Sequence, residues 1–186
     1  PLRSLWPTWP ELWAKKDTTF AGRPVAALTF ALNFALSRFD VWSYHLFNVV
    51  IHILCGLTLW GLVRRTVTRT APAGVFEISP DALAGSVTLL WLVHPLQTES
   101  VTYISTRTEA LFALFLLLTM YCVLRGPAAA RGWWWSVLAV VCCALGMGCK
   151  EVMVVAPPLV LLYDRTFLAG SFGAALRQRA RLYAGM

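Results

Sequence analysis

The strongest constraint on this chain is a run of 23 residues, 41–63, that contains no Asp, Glu, Lys or Arg. A helix needs about 20 predominantly apolar residues to cross the hydrocarbon core of a bilayer. Four more charge-free runs follow at 82–98, 110–124, 132–149 and 152–163. The shorter ones reach spanning length when flanking residues snorkel or the helix tilts. The pattern predicts an all-α integral membrane fold with five transmembrane helices, near 41–63, 82–98, 108–124, 132–149 and 152–165.

Composition excludes the alternatives. Hydrophobic residues make up 58% of the 186 and charged residues 13%, about half the charge of an ordinary soluble domain. Five Cys lie in or beside apolar runs without framework spacing, which argues against a secreted disulfide scaffold. The net charge of +7 arises from short Arg clusters between the spans rather than from a continuous basic face, so it does not indicate a nucleic-acid partner.

Residues 24–37 are also uncharged, but 14 residues are too few to span, and they read as an amino-terminal interfacial helix within an external segment, 1–40. The chain opens on Pro1 with no tripartite export signal and is expected to be a fragment of a longer membrane domain. Among short internal loops, five Lys and Arg fall on one side (Arg64, Arg65, Arg69, Arg125, Arg131) and two on the other (Arg107, Lys150). The richer side is assigned to the cytoplasm. Residues Arg177–Arg181 then form a basic cytoplasmic tail facing anionic lipid, and Trp133–Trp135 an aromatic belt.

Ionisable groups kept beside membrane spans are functional candidates by default. On the external face these are Arg23, His45, His94, Glu99, Arg107, Glu109, Lys150 and Glu151. His45, Asn48 and His52 share one helix face, as metal ligands or as an interhelical hydrogen-bonding stripe. Pro95 is expected to interrupt or end the second span and leave His94 at the mouth of whatever the helices enclose. Thr106 and Thr108 are placed to cap the third span, with Glu109 at its positive end. Arg107 is a cation where the helix dipole disfavours one, so an anion is expected beside it: Glu99, Glu109 or a substrate phosphate. Lys150 either pairs with Glu151 or holds an anionic headgroup. Pro157–Pro158 is expected to kink the last span. The chain has no Gly-x-Ser-x-Gly elbow, Walker loop or dinucleotide fingerprint.

Several strings occur in order across the chain: Gly22-Arg23-Pro24 with Leu28–Asn33, Tyr44-His45-Leu46-Phe47-Asn48 with His52, His94-Pro95-Leu96-Gln97-Thr98-Glu99-Ser100-Val101, Arg107 with Glu109, and Lys150-Glu151 with Leu162-Tyr163-Asp164-Arg165. Together they resemble the bacterial relatives of the TMTC-like (transmembrane and tetratricopeptide-repeat) protein O-mannosyltransferases, of the GT-C glycosyltransferase superfamily. The resemblance implies transfer of a sugar, often mannose, from a polyprenyl-phosphate carrier to a protein Ser or Thr hydroxyl. The active face would be periplasmic, on a bacterial inner membrane. It also implies further crossings, a carboxy-terminal tetratricopeptide array and a catalytic carboxylate upstream of Pro1; Asp17 lies in no matching motif. On this reading Arg107, Lys150 and Arg23 neutralise the lipid phosphate, while Glu99, Glu109 and His94 position them or a divalent metal. His45 and Glu151 are supporting polar groups. The alternative is a non-enzymatic scaffold or transporter segment whose charges pair to hold helices together.

Overall fold

The computed structural model describes residues 22–70, 79–129 and 132–186. Arg3, Lys15, Lys16, Asp17 and Arg131 lie outside the described residues. Regular structure among the described residues is helical throughout: α1 (Pro24–Ser37), α2 (Val41–Thr70), α3 (Pro80–Leu92), α4 (Thr98–Thr102), α5 (Arg107–Arg125), α6 (Gly132–Met147), α7 (Ala156–Asp164), α8 (Phe172–Gln178) and α9 (Ala180–Gly185). Short 3-10 turns at Ile104–Thr106, Gly126–Ala128 and Glu151–Val155 and a π turn at Arg165–Ala169 extend α5 and α7. Three continuous stretches, Val41–Thr70, Ile104–Ala128 and Glu151–Ala169, are long and apolar enough to cross a membrane.

The contacts at their ends fix the helix directions. Arg107, at the start of α5, bonds Asn48 near the start of α2, and Arg69 at the end of α2 bonds the Leu124 carbonyl at the end of α5, so these two helices run the same way. Helix α3 runs against them, with Asp81 on Arg64 at one end and the Leu92 carbonyl on His52 at the other. Helix α6 also returns, since Trp135 at its start meets Arg125 and Lys150 beyond its end meets Glu109. The stretch through α7 then turns back, bringing Tyr163 to Thr66.

Local chemistry sets the helix limits. Ser79 caps α3 by accepting from the Ala82 N–H at 3.2 Å, with Pro80 and Asp81 in the first turn where a missing donor and a negative charge are both tolerated. The helix stops at Leu92, before Pro95 and inside the charge-free run 82–98. Pro95 cannot donate to a continuing helix, and His94 Nδ1 accepts from the Leu96 N–H at 3.2 Å to start a separate 3-10 turn. Thirteen residues rise about 20 Å, less than the roughly 30 Å hydrocarbon core, so α3 alone does not reach across. Pro157 and Pro158 do not kink a helix in mid-course, contrary to the expectation from sequence. They lie in the first turn of α7, where the Glu151–Val155 3-10 turn gives way to α geometry and no N–H is required.

The main core joins Ala26 of α1, Ile51 and Cys55 of α2, Ala110, Leu111 and Leu114 of α5, and Cys149. Outward-facing positions are as apolar as the inside: Val50, Leu57, Leu89, Leu90, Val141 and Leu162 are all exposed. A surface of that kind suits lipid and not water.

The segment expected to be a basic tail is folded against the bundle. Ser171 caps α8, and α9 folds back so that Leu182 packs with Cys122, Val123, Ala139 and Val160. Arg179 reaches Asp164, which is fully buried, at 3.0 Å, and the Tyr183 hydroxyl donates to the other carboxylate oxygen at 2.7 Å. A buried carboxylate needs such partners, which is why Arg179 turns inward while Arg177 and Arg181 remain exposed. Replacing Asp164 with Ala leaves the half-buried Arg179 without its counter-charge and is expected to lower stability by about 3 kcal/mol. Thermal unfolding in detergent checks this: an unchanged midpoint would show that the pair does not hold the tail.

Candidate functional site

Arg107 occupies the first position of α5 with no solvent exposure. Its partners come from the first two helices, α1 and α2. Nε donates to Asn48 Oδ1 at 2.9 Å, and Nη2 donates to Asn33 Oδ1 at 2.9 Å and to the Tyr44 carbonyl at 3.2 Å. Nη1 donates to the Thr29 carbonyl at 3.4 Å. The guanidinium carbon also lies 4.2 Å from the Phe30 ring centroid, 4.6 Å from that of Phe47 and 5.5 Å from that of Tyr44.

The expected anion is therefore not what this site offers, since among the described residues no carboxylate touches Arg107. Neutral oxygens and aromatic faces take its place, which a planar, delocalised and weakly hydrated cation permits. Asn33 and Asn48 are themselves fixed, the first by donation to Ser43 Oγ at 2.9 Å and the second by donation to the Tyr103 carbonyl at 3.2 Å. Sequence reasoning assigns Asn33 no role, although an amide within an otherwise apolar run is the signal that could have found it. The segment joining α1 to α2 turns at Arg38, whose φ of 52° is unusual for a non-glycine residue, and Tyr44 donates to the Arg38 carbonyl at 2.8 Å.

A second polar centre lies at the same end of the bundle. Lys150, in the turn after α6, forms an ion pair with Glu109 in the first turn of α5. Its side chain is 23% exposed and that of Glu109 45%, so the pair opens to the surroundings. Lys150 thus bridges two helices, and the expected local pair with Glu151 is not made; Glu151 is exposed. The Val25 N–H donates to the Gly148 carbonyl at 3.0 Å, which seats the start of α1, and Arg23 with it, against this turn. A Cβ at position 148 would stand 2.5 Å from Val25 Cγ2, so only glycine allows this approach. Arg23 is half-buried and has no side-chain hydrogen bond or ion pair among the described residues.

The remaining candidates are dispersed. His94 and Glu99 are exposed, and His45 is half-buried. His52 Nε2 lies 3.1 Å from the Leu92 carbonyl, and its ring stacks on Trp91, so it serves helix packing. Thr106 does not cap α5; its hydroxyl donates to the Glu99 and Tyr103 carbonyls instead. Among the described residues no three His, Cys, Asp or Glu side chains are grouped as metal ligands, and Glu109 and His94 Nδ1 are engaged elsewhere.

The Arg107 arrangement makes a direct prediction. Arg107→Ala removes the common partner of two buried amides and is expected to cost about 3 kcal/mol or more, with Arg107→Lys recovering little of it because an ammonium cannot reproduce the fork. Thermal unfolding together with protease cleavage between α1 and α2 measures the effect. Wild-type behaviour of Arg107→Ala would refute the assignment.

Comparison with known proteins places this geometry in context. The chain is 29% identical over 160 residues to protein O-mannosyl-transferase TMTC2 of Mus musculus, covering 84% of the chain and 18% of that protein. It is 27% identical over 176 residues to the Homo sapiens TMTC3 protein, covering 92% of the chain and 18% of the relative. To TMTC4 of Mus musculus it is 28% identical over 179 residues, covering 88% and 24% respectively. The chain thus spans about a fifth of the length of these curated relatives. No solved structure matches it. The family model for dolichyl-phosphate-mannose-protein mannosyltransferases matches residues 21–184, a range that takes in α1 to α8 and most of α9, and the chain belongs to that family.

Proposed function

We propose that this chain is part of the membrane domain of a mannosyltransferase that takes its sugar from a polyprenyl-phosphate carrier. The acceptor is a Ser or Thr hydroxyl of a protein, and transfer occurs on the non-cytoplasmic face, in a bacterial inner membrane. The observation that carries the reading is the partly exposed Lys150–Glu109 pair, set against the start of α1 that bears Arg23. Family membership supports the reaction class.

The chemistry asks for a cation at this position. The acceptor oxygen attacks the anomeric carbon, the bond from that carbon to the phosphate oxygen breaks, and its electron pair stays on the lipid phosphate. The acceptor proton passes to a carboxylate supplied by a part of the protein outside this chain. The phosphate thereby gains one negative charge as it departs, and a positioned cation stabilises it most in the transition state. Lys150 suits that role, because its ammonium is held between α5 and α6 by Glu109 and can turn to a phosphate on its open side. Arg23 contributes the second cation. Arg107 is a positioning residue, since it anchors α1 and α2 and so fixes where Arg23 stands. His94, Glu99 and Glu151 stay open to the acceptor side.

The test uses the full-length protein in liposomes, with a mannosyl-phosphoryl polyprenol and an acceptor peptide. Lys150→Ala is expected to lower kcat/KM by about 10²–10³-fold, the range for loss of one donor to a developing oxyanion, with Lys150→Arg retaining part of the activity. Wild-type turnover by correctly inserted Lys150→Ala would overturn the assignment of Lys150. Absence of transfer by the unaltered protein from every polyprenyl donor would favour a scaffold instead.

A further inference from the structure

The opposite end of the bundle carries arginines that the proposed transfer does not use. An open pocket of about 520 Å³ is lined there by Arg64, Arg65, Thr68 and Arg69 of α2, with Leu124 and Ala128 from the end of α5. Arg64 is neutralised by Asp81 at 2.6 Å and lies over the Trp60 ring. Arg65 has no carboxylate partner among the described residues and stacks over Tyr121, 5.6 Å from its centroid. Arg69 donates one N–H to the Leu124 carbonyl at 3.3 Å. Behind Tyr121, Arg125 donates to its hydroxyl at 3.0 Å and lies 4.5 Å from the Trp135 centroid. The pocket therefore faces at least two cations that are held in place by neutral groups and keep free donors.

Solvated arginines that balance helix C-termini are a simpler explanation, and the Arg69–Leu124 bond belongs to that class. It uses one of the five N–H donors of Arg69, and Tyr121 is the one side chain among the described residues that engages Arg65, so both guanidinium groups keep donors to spare. The Thr68 hydroxyl is committed to the Arg64 carbonyl, so the two guanidinium groups are the recognition elements. Two further observations bear on the ligand. The exposed Ala128 gives the pocket an apolar edge next to its cations, while Leu124, itself buried, meets Arg69 through its carbonyl. Trp133 and Trp134 are exposed at the same end, which sets this level of the bundle at a membrane–water interface.

We infer that the groove between the ends of α2 and α5 is a binding site for an anionic phospholipid, with Arg65 and Arg69 on its phosphate and the exposed Ala128 beside the start of its acyl chains. Arginine forks suit phosphate oxygens, and basic pockets between membrane helices are an established way of holding such headgroups. A lipid seated there ties the end of α2 to the end of α5, at the far end from the Lys150–Glu109 pair.

The test uses the full-length protein in detergent and counts bound lipid by native mass spectrometry. The probes are short-chain phosphatidylglycerol, phosphatidylcholine of the same chain length, and inorganic phosphate. Phosphatidylglycerol is expected to bind the unaltered protein, and Arg65→Gln with Arg69→Gln to bind it roughly 30-fold more weakly, from about fivefold per cation. The tail variant Arg177→Gln with Arg181→Gln, which removes the same charge from exposed positions, should bind as the unaltered protein does. Equal weakening in both double variants, equal binding of phosphatidylcholine, or displacement by equimolar inorganic phosphate would each overturn the inference. If the glutamine variant fails to insert, Arg65→Lys with Arg69→Lys replaces it. Weakened binding there supports fork recognition, and unaltered binding overturns it.

Discussion

The amino-terminal third of this structure depends on the burial of one cation without a counter-ion. A guanidinium removed from water must recover its hydration energy from hydrogen bonds and aromatic faces. Arg107 does so only because Asn33, Asn48, two carbonyls and three rings converge on it from two other helices. None of these groups satisfies it alone, so α1, α2 and α5 must come together for any of them to be in place. The cost of leaving the charge or the amides unpaired turns a loose association of apolar helices into a specific one. This matters in lipid, where apolar contact discriminates poorly between alternative packings.

From that junction the rest of the external end follows. With α1 held at Asn33, its beginning reaches the Gly148 carbonyl, and Arg23 arrives beside the turn that carries Lys150. The two cationic centres therefore have different roles although sequence puts them in one class. Arg107 is enclosed and fully engaged, whereas Lys150 is partly open and among the described residues pairs with Glu109. An enclosed cation organises structure, and an open one is able to meet a ligand.

Charge is used differently at the other end. Asp164 is buried and draws Arg179 and Tyr183 onto it, closing the carboxy-terminal helices against α6 and α7. Arg65, Arg69 and Arg125 rest instead on a carbonyl and on aromatic groups, which hold their positions without cancelling their charge. The bundle thus has a sugar-transfer face, on the proposed reading, and a lipid-facing base, separated by the apolar middle of α2 and α5.

Much of this is legible in the amino-acid sequence. The charge-free runs mark the helices and their lipid-facing surfaces, because transfer of apolar side chains and the demand for internal backbone hydrogen bonds depend on composition and length alone. Pro95 announces the end of α3, and the ordered motifs identify the family. Partner choice is not legible. Lys150 stands next to Glu151 in the chain but pairs with Glu109, 41 residues away, and Arg107 passes over Glu109 for two amides. Adjacent residues in a turn or on a helix point to different faces, while long side chains reach across helix interfaces whose spacing the one-dimensional pattern does not contain. Sequence by itself determined that the chain is a helical membrane segment with few and costly charges. Only the tertiary structure decided which of those charges are enclosed and which stay open, because desolvation and pairing depend on what the neighbouring helices bring within hydrogen-bond reach.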